Sequence, residues 1–398
     1  MVIQKSLRKN STKGIIMKII AVVTGSRSEY DILSSTMLAI KNHPQLKLQV
    51  VVTGAHLSDK FGYTYKVIEK DGFKISQKIE SLLSGDMLVS RAKSVGIQIM
   101  GLSGALEHLK PDIVLVAGDR EEVISAAISA NYLNIPVAHM CGGDTAFGSV
   151  DNNVRDATTK LSHLHFPMLP SHAERIIGMG EEKFRVHVVG HGGLDRFFSV
   201  PPLSKNQLSK QLGFDFENGP LILMIQHVLS SEYQEAEFQT RTTLSALVEL
   251  GYKVIIGYPN SDVGSEIIIE TIKRYCSKLN CYIYKNLPSQ LFVNLLHHVD
   301  VLIGNSSCGI IEAPLLKLPV VNIGNRQKNR ITSTNVIFVD FNKAGIKKAI
   351  KTALFDQEFK NKVKQCQSIY GDGHTGEKVA SILNKINIDL KLLNKPNL

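Results

Sequence analysis

Residue types able to do chemistry concentrate between Val116 and His163. An apolar run, Ile113-Val-Leu-Val-Ala, ends in Gly118-Asp119-Arg120, and a second, Pro136-Val-Ala-His, ends in Met140-Cys141-Gly142-Gly143-Asp144. Asp151-Asn-Asn-Val-Arg155 then opens a helix that reaches His163. Two buried-strand patterns therefore stop at charged residues beside glycines. Ligands of open α/β sheets sit beyond the carboxyl ends of the strands. Asp151 and Arg155 are four apart and share a helix face. Either these are unrelated loop charges, or they form an active site for a phosphorylated or otherwise polar ligand.

Anion-binding chemistry recurs elsewhere. Gly25-Ser-Arg-Ser-Glu-Tyr-Asp31 follows the first strand pattern in a phosphate-loop-like position, without the GxGxxG spacing. Arg27 is either a phosphate clamp or a surface arginine in a turn. His56 ends the second strand, where a lone histidine is more often a structural hydrogen-bonder than a ligand. Asn305-Ser306-Ser307-Cys308-Gly309 is a strand-loop-helix junction whose hydroxyls and N–H groups suit an anion. Glu312 either stabilises the helix start or accepts hydrogen bonds from a ribose diol. With Arg326 just past the next strand, these features favour a nucleotide diphosphate.

The elements that must position these residues read as an alternation. Strand patterns are expected at 19–25, 48–54, 74–79, 113–117, 136–139, 164–169 and 186–190. Helices are expected at 87–109, 121–134 and 171–179 between them. Pro201-Pro202 marks a linker. A second alternation begins after it, with strands at 221–227, 253–258, 281–284, 301–304, 319–324 and 336–339. Its helices are expected at 232–250, 265–277, 290–298 and 310–316. Such alternation means parallel, doubly wound sheets. The expected organisation is a disordered basic arm at 1–16, a Rossmann-like domain carrying the carboxylates at 17–200, and a second at 201–375. A helix and tail at 376–398 are expected to pack back on the first domain.

Composition narrows the function class. A chain of 398 residues exceeds one ordinary core. Its 43% apolar and 21% charged content is that of a soluble globular protein, with no run long enough to span a bilayer. The net charge of +10 lies largely in the basic first segment and around 343–364, and no nucleic-acid-binding signature accompanies it. Neither nucleic acid nor membrane is expected as a partner. Five cysteines without CxxC pairs suggest free thiols in a reducing compartment, hence a cytoplasmic protein. His187 and His191 straddle a strand end at Gly190, which is no helix-face metal pair. No metal and no cofactor is expected.

Taken in order, Gly25-Ser-Arg27, Thr53-Gly-Ala-His56, Gly118-Asp119-Arg120, His139-Met-Cys-Gly-Gly-Asp144, Asp151-x-x-x-Arg155, Gln226-His227 and Gly304-Asn-Ser-Ser-Cys-Gly-x-x-Glu312 resemble the hydrolysing UDP-N-acetylglucosamine 2-epimerases, which begin sialic acid synthesis. The resemblance runs from Met17 to about Ile386. It implies two Rossmann-like domains facing a cleft, as in B-type glycosyltransferases, and a homodimer or homotetramer. It also implies that Ser306, Ser307, Arg326 and Arg27, with Gly309 in the same loop, hold a diphosphate and that Glu312 holds the ribose. Asp119, Asp151, Asp144, His163 and His227 would be catalytic, with His56, Arg120 and Arg155 beside them as substrate-binding residues.

The implied reaction loses UDP from C1 and a proton from C2, giving a glycal to which water adds with inverted configuration at C2. The weakly acidic C2–H needs a positioned base, and the departing UDP needs positive charge. Two departures stand out. Many relatives carry Glu at the Cys141 position, and many carry an acid at the Asn152 position. The nearest alternative is a hydrolysing 2-epimerase of a UDP-2,4-diacetamido sugar from the legionaminic acid route. Its pocket must admit a second acetamido group at C4. A B-type glycosyltransferase and a non-catalytic nucleotide-sugar regulator are the readings from other classes.

Overall fold

The computed structural model describes residues 17–83, 88–145, 151–260 and 262–395. The basic arm expected at 1–16 lies outside them. The first sheet comprises β1 (Lys18–Thr24), β2 (Leu46–Thr53), β3 (Ile75–Ile79), β4 (Ile113–Ala117), β5 (Val137–Met140) and β6 (Leu164–Phe166). The second comprises β7 (Leu221–Ile225), β8 (Lys253–Gly257), β9 (Cys281–Tyr284), β10 (Val301–Gly304), β11 (Val320–Ile323) and β12 (Val336–Val339). Among the helices that cover the sheets or border the cleft are α1 (Arg27–Asn42), α2 (Leu88–Leu109), α3 (Glu121–Tyr132), α4 (Asp151–Leu161), α5 (Ala236–Leu250), α6 (Cys308–Ile311), α7 (Lys343–Phe355) and α8 (Thr375–Lys385).

Both sheets are parallel, in the orders β3-β2-β1-β4-β5-β6 and β12-β11-β10-β7-β8-β9. Chain order reverses between β1 and β4 in one sheet and between β7 and β10 in the other. Crevices outside the carboxyl ends open at such reversals. Residues following β1, β4, β7 and β10 therefore meet ligands by topology alone.

Strands buried on both faces read as continuous apolar runs, and β4 and β7 are buried along their whole length. On one face of the first sheet, Leu33, Met37 and Ile40 of α1 pack on Ile20, Val22 and Leu115. On the other, Leu102 and Leu106 of α2 and Val123, Ala126 and Ala127 of α3 pack on Ala21, Val114 and Val116. In the second sheet, Leu244 and Leu247 of α5 and Ile346 and Ile350 of α7 cover one face. Leu208, Phe216 and Leu295 cover the other.

The end of the chain returns to the first sheet. Asp195 accepts the Thr375 and Gly376 N–H groups at 3.1 and 2.8 Å, starting α8 against α1. Lys18 Nζ then donates to the Leu383, Asn384 and Ile386 carbonyls at 2.7, 2.9 and 2.7 Å, holding the far end.

Three expectations change. Residues 186–190 make only the bridge His165–Val186, continued by His187 N–H to His165 O and Val189 N–H to Pro167 O. The seventh strand is frayed because Gly190 turns its end away at a φ of 90°. The helix expected at 310–316 is one α turn, α6, followed by the 3₁₀ turn Ala313–Leu316, because Pro314 cannot donate to the helical ladder. The helix expected from 232 starts as a 3₁₀ turn with a non-helical Glu232 before α5. Among the described residues no helix is long and apolar enough to cross a membrane.

Candidate active site

The loops after β1, β4, β5, β7, β8, β10 and β11 converge on a cavity of about 210 Å³ between the sheets. Asp119, Asp144, Asp151, Arg120 and Arg155 line it from the first sheet, and His227, Ser306, Ser307 and Arg326 from the second. Sequence reasoning named all nine.

Arg155 is the hub of the first wall. Its guanidinium pairs with Asp119 Oδ2 and donates to the Asp144 carbonyl at 2.9 Å and to Asn152 Oδ1 at 3.0 Å. The amide at 152 thus orients the arginine that orients Asp119. Arg120, next to Asp119 in sequence, points elsewhere: its Nη1 stands 3.1 Å from Asp262 Oδ1 of the second half. Gly118 precedes them with a φ of 96° and open space where a Cβ would stand, a backbone that favours glycine. Asp144 is buried and takes an ion pair from Arg330 across the cleft, with His172 Nε2 at 3.6 Å.

The opposite wall is a web on Asn305. Arg326 Nη1 and Gln327 Nε2 donate to its carbonyl at 3.1 and 2.9 Å, and its Oδ1 takes the His227 N–H at 2.7 Å. Asn260 N–H donates to His227 Nδ1 at 3.1 Å, which assigns the ring proton to Nε2. Burial, and then Arg326, lower the His227 pKa to about 3, so the ring is neutral and acts through that N–H. Burial lowers the pKa of Arg155 and of Arg326, and the neighbouring Arg330 adds to both shifts. Mutually repelling guanidiniums around a cavity are what an incoming dianion relieves.

Below the Gly25 loop lie two buried acids. A Cβ on Gly25 would stand 1.9 Å from Glu122 Cγ, so the loop rests directly on that side chain. Burial, then Glu121, lifts Glu122 to about 7, and burial with Glu122 lifts Glu29, which also accepts the Gly25 N–H at 2.6 Å.

Other expected residues lie apart from the cavity. His163 is at the amino end of β5, where its Nδ1 accepts the Val137 N–H at 3.2 Å. Helix α4 starts at the cleft and carries the chain about 16 Å away from it before His163 is reached. His56 is fully buried between Thr24 Oγ1 and Thr64 Oγ1 at 3.0 and 2.7 Å, tying the end of β1 to the segment that follows β2. Glu312 is buried against Arg196 at 2.6 Å rather than open to a ribose. Gly309 is buried, and a Cβ there would stand 2.8 Å from Val320 Cγ1, so its role is close packing of α6. Arg27 pairs with Asp31 at 3.1 Å and lines an adjoining hollow of about 200 Å³ that shares Ser28, Arg120, His227 and Asn260 with the cavity.

Sequence reasoning missed Glu29, His191, Asn260 and Arg330, all of which line the cavity. Arg330 had a signal: it follows Arg326 by four residues in a polar stretch between two strand patterns. Asn260 and Asp262 had none, since their pairing with the other half depends on how the sheets face each other.

The chain is similar to known proteins over most of its length. The sequence profile of the UDP-N-acetylglucosamine 2-epimerase family matches residues 38–384. The UDP-N,N'-diacetylbacillosamine 2-epimerase (hydrolyzing) of Legionella pneumophila is 36% identical over 96% of this chain and all of its own length. The GDP/UDP-N,N'-diacetylbacillosamine 2-epimerase (hydrolyzing) of Campylobacter jejuni is 36% identical over 81% of this chain and 84% of its own. The crystal structure of UDP-GlcNAc 2-epimerase from Neisseria meningitidis bound to UDP-GlcNAc superimposes with a TM-score of 0.79, at 20% identity, covering 93% of this chain and 100% of that one. The two facing sheets are thus the glycosyltransferase-B-like arrangement expected from the sequence.

Proposed function

The chain belongs to the UDP-N-acetylglucosamine 2-epimerase family, and from that premise we propose that it is a hydrolysing 2-epimerase acting on UDP-N,N'-diacetylbacillosamine. The observation that carries the chemistry is the meeting of Asp119, Asp144 and Asp151 with Ser306, Ser307 and Arg326 in one cavity. Carboxylates for proton transfer face groups for a diphosphate.

In this reading Ser306, Ser307, Arg326 and Arg330 hold the diphosphate, and the positive charge of the two guanidiniums stabilises UDP as the C1–O bond breaks. Asp119, aligned by Arg155, takes the C2 proton. The neutral His227 donates its Nε2–H towards the leaving phosphate. Water then adds to the glycal, with Asp144 or Asp151 handling protons on the other face. The products are UDP and a free sugar epimerised at C2.

Two observations favour the diacetamido sugar. The hydrolysing relatives at 36% identity act, by their names, on N,N'-diacetylbacillosamine. The cavity also carries apolar side chains, Ile32, Ala117, Met168 and Ile311, beside its carboxylates, which suits a 6-deoxy sugar ending in a methyl group. A second reading, UDP-N-acetylglucosamine as substrate, draws on the Neisseria meningitidis UDP-N-acetylglucosamine 2-epimerase, 30% identical over 85% of this chain. NMR of the products from each nucleotide sugar decides. Free 2-epimerised diacetamido sugar appearing with UDP supports the proposal. Turnover of UDP-N-acetylglucosamine alone transfers it to the second reading, and an epimer still attached to UDP overturns hydrolysis.

A further inference from the structure

His191 is a buried titratable group in the cavity that the proposed reaction does not use. It lies just past the frayed strand at 186–190, and the turn Gly192–Leu194 carries the chain past α1 and the end of β5, where a Cβ on Gly192 would stand 2.1 Å from Ile32 O and 3.6 Å from Met140 Cε. Its ring lines the cavity and is 6% exposed. Nδ1 is buried without a hydrogen-bond partner. Gly193 keeps space beside the ring: a Cβ there would stand 2.8 Å from Cε1 and 3.0 Å from Nδ1. Buried polar atoms in native structures are almost always partnered, so an unpartnered ring in a ligand cavity marks a place where a ligand supplies the missing group.

The surroundings limit what that group is. Ile32, Cys141, Met168 and Ile311 line the same cavity as the carboxylates and guanidiniums, and Glu312 Oε1 would stand 3.5 Å from the same Gly193 Cβ. Burial, then Arg196 and Arg330, keep the ring neutral, with a pKa of about 3. A neutral imidazole offers one donor and one acceptor, which matches an amide and contributes no charge to a phosphate.

We propose that His191 is a specificity-determining residue: its unpartnered ring hydrogen-bonds the second amide substituent of the sugar, the one at C4 that UDP-N-acetylglucosamine lacks, leaving the diphosphate to the arginines and serines. This rests on the reading of the site as one for a UDP-sugar.

The test compares His191→Phe, which keeps ring volume and removes both hydrogen-bonding atoms, with His191→Asn, which retains a donor and an acceptor. One buried hydrogen bond lost at a ligand corresponds to about a 10- to 100-fold fall in kcat/KM for UDP-N,N'-diacetylbacillosamine. UDP affinity by calorimetry and kcat/KM for UDP-N-acetylglucosamine should stay within about threefold, and His191→Asn should recover part of the loss. An equal loss on both sugars, or a parallel loss of UDP affinity, overturns the assignment. If the unmodified protein releases UDP from neither sugar, the function reading fails by itself. The assignment is then decided by calorimetry, through the affinity of each UDP-sugar relative to UDP in the unmodified protein and in His191→Phe.

Discussion

Arg120 Nη1 and Asp262 Oδ1 meet at 3.1 Å across the cleft, joining the carboxyl edge of one sheet to that of the other. Both residues are buried. Arg120 and Arg326 together hold the Asp262 carboxyl down to about 2 against the effect of burial, Arg120 more strongly. Asp262→Ala takes one carboxylate from the buried guanidinium, and losing one partner of a buried pair costs about 3–5 kcal/mol. The lower end is expected because Glu121 remains 3.7 Å from Arg120. Urea unfolding of Asp262→Ala, Arg120→Met and the double variant reads this directly. Costs that simply add would mean the two residues do not act as a pair.

Asp119 is oriented by Arg155, not by its neighbour Arg120. Asp119→Asn keeps the size and removes the base. Turnover should fall about 10²- to 10⁴-fold while UDP affinity stays close to normal, and the Asn amide oxygen retains a hydrogen bond from Arg155 in place of the ion pair. A stable variant with near-normal turnover removes Asp119 from the mechanism.

Ser306→Ala with Ser307→Ala should weaken UDP binding about 5- to 100-fold, at roughly 0.5–1.5 kcal/mol per hydrogen bond. Calorimetry with UDP alone checks this. Unchanged affinity would assign the diphosphate to the guanidiniums.

His163 lies at the far end of β5. His163→Gln should therefore leave kcat within about twofold of normal and lower the urea midpoint, since a buried acceptor for the Val137 N–H is disturbed. A loss of turnover on the scale of a catalytic acid, about 10²-fold or more, in a stably folded variant would restore His163 to the mechanism.

Acid should destabilise the fold through its buried histidines. Burial lowers His56 and His191 to about 3 and His139 to about 4, whereas unfolded histidine titrates near 6.5. Between about pH 6.5 and 4 these histidines bind more protons in the unfolded chain than in the native one, so their contribution to stability falls as pH falls, while Glu122 and Glu29, raised by burial in the native state, offset part of it. The slope is up to about 1.4 kcal/mol per pH unit for each histidine. Urea midpoints at pH 7, 6 and 5 should drop in that order. A flat series would mean these rings are not buried neutral.

The apolar runs and their interruptions determined, from sequence alone, two parallel α/β halves and the loops that carry chemistry. Asp119, Asp144, Ser306 and Arg326 stood out because strand patterns stop beside them and ligand sites lie beyond strand ends, and Asp151 and Arg155 because their four-residue spacing puts them on one helix face. Tertiary structure decided the rest, because partnership across a cleft has no sequence period. On paper Arg120 is the neighbour of Asp119 and Arg155 stands 36 positions away, yet Arg120 reaches Asp262 and Arg155 grips the carboxylate. Glu312 reads as open to a ribose until Arg196, 116 positions away, is folded against it. His163 follows the active-site helix in sequence, but the rise of that helix carries it to the wrong end of the sheet. His191 had only a glycine-flanked position to recommend it, and the missing partner of its Nδ1 exists only in the folded cavity.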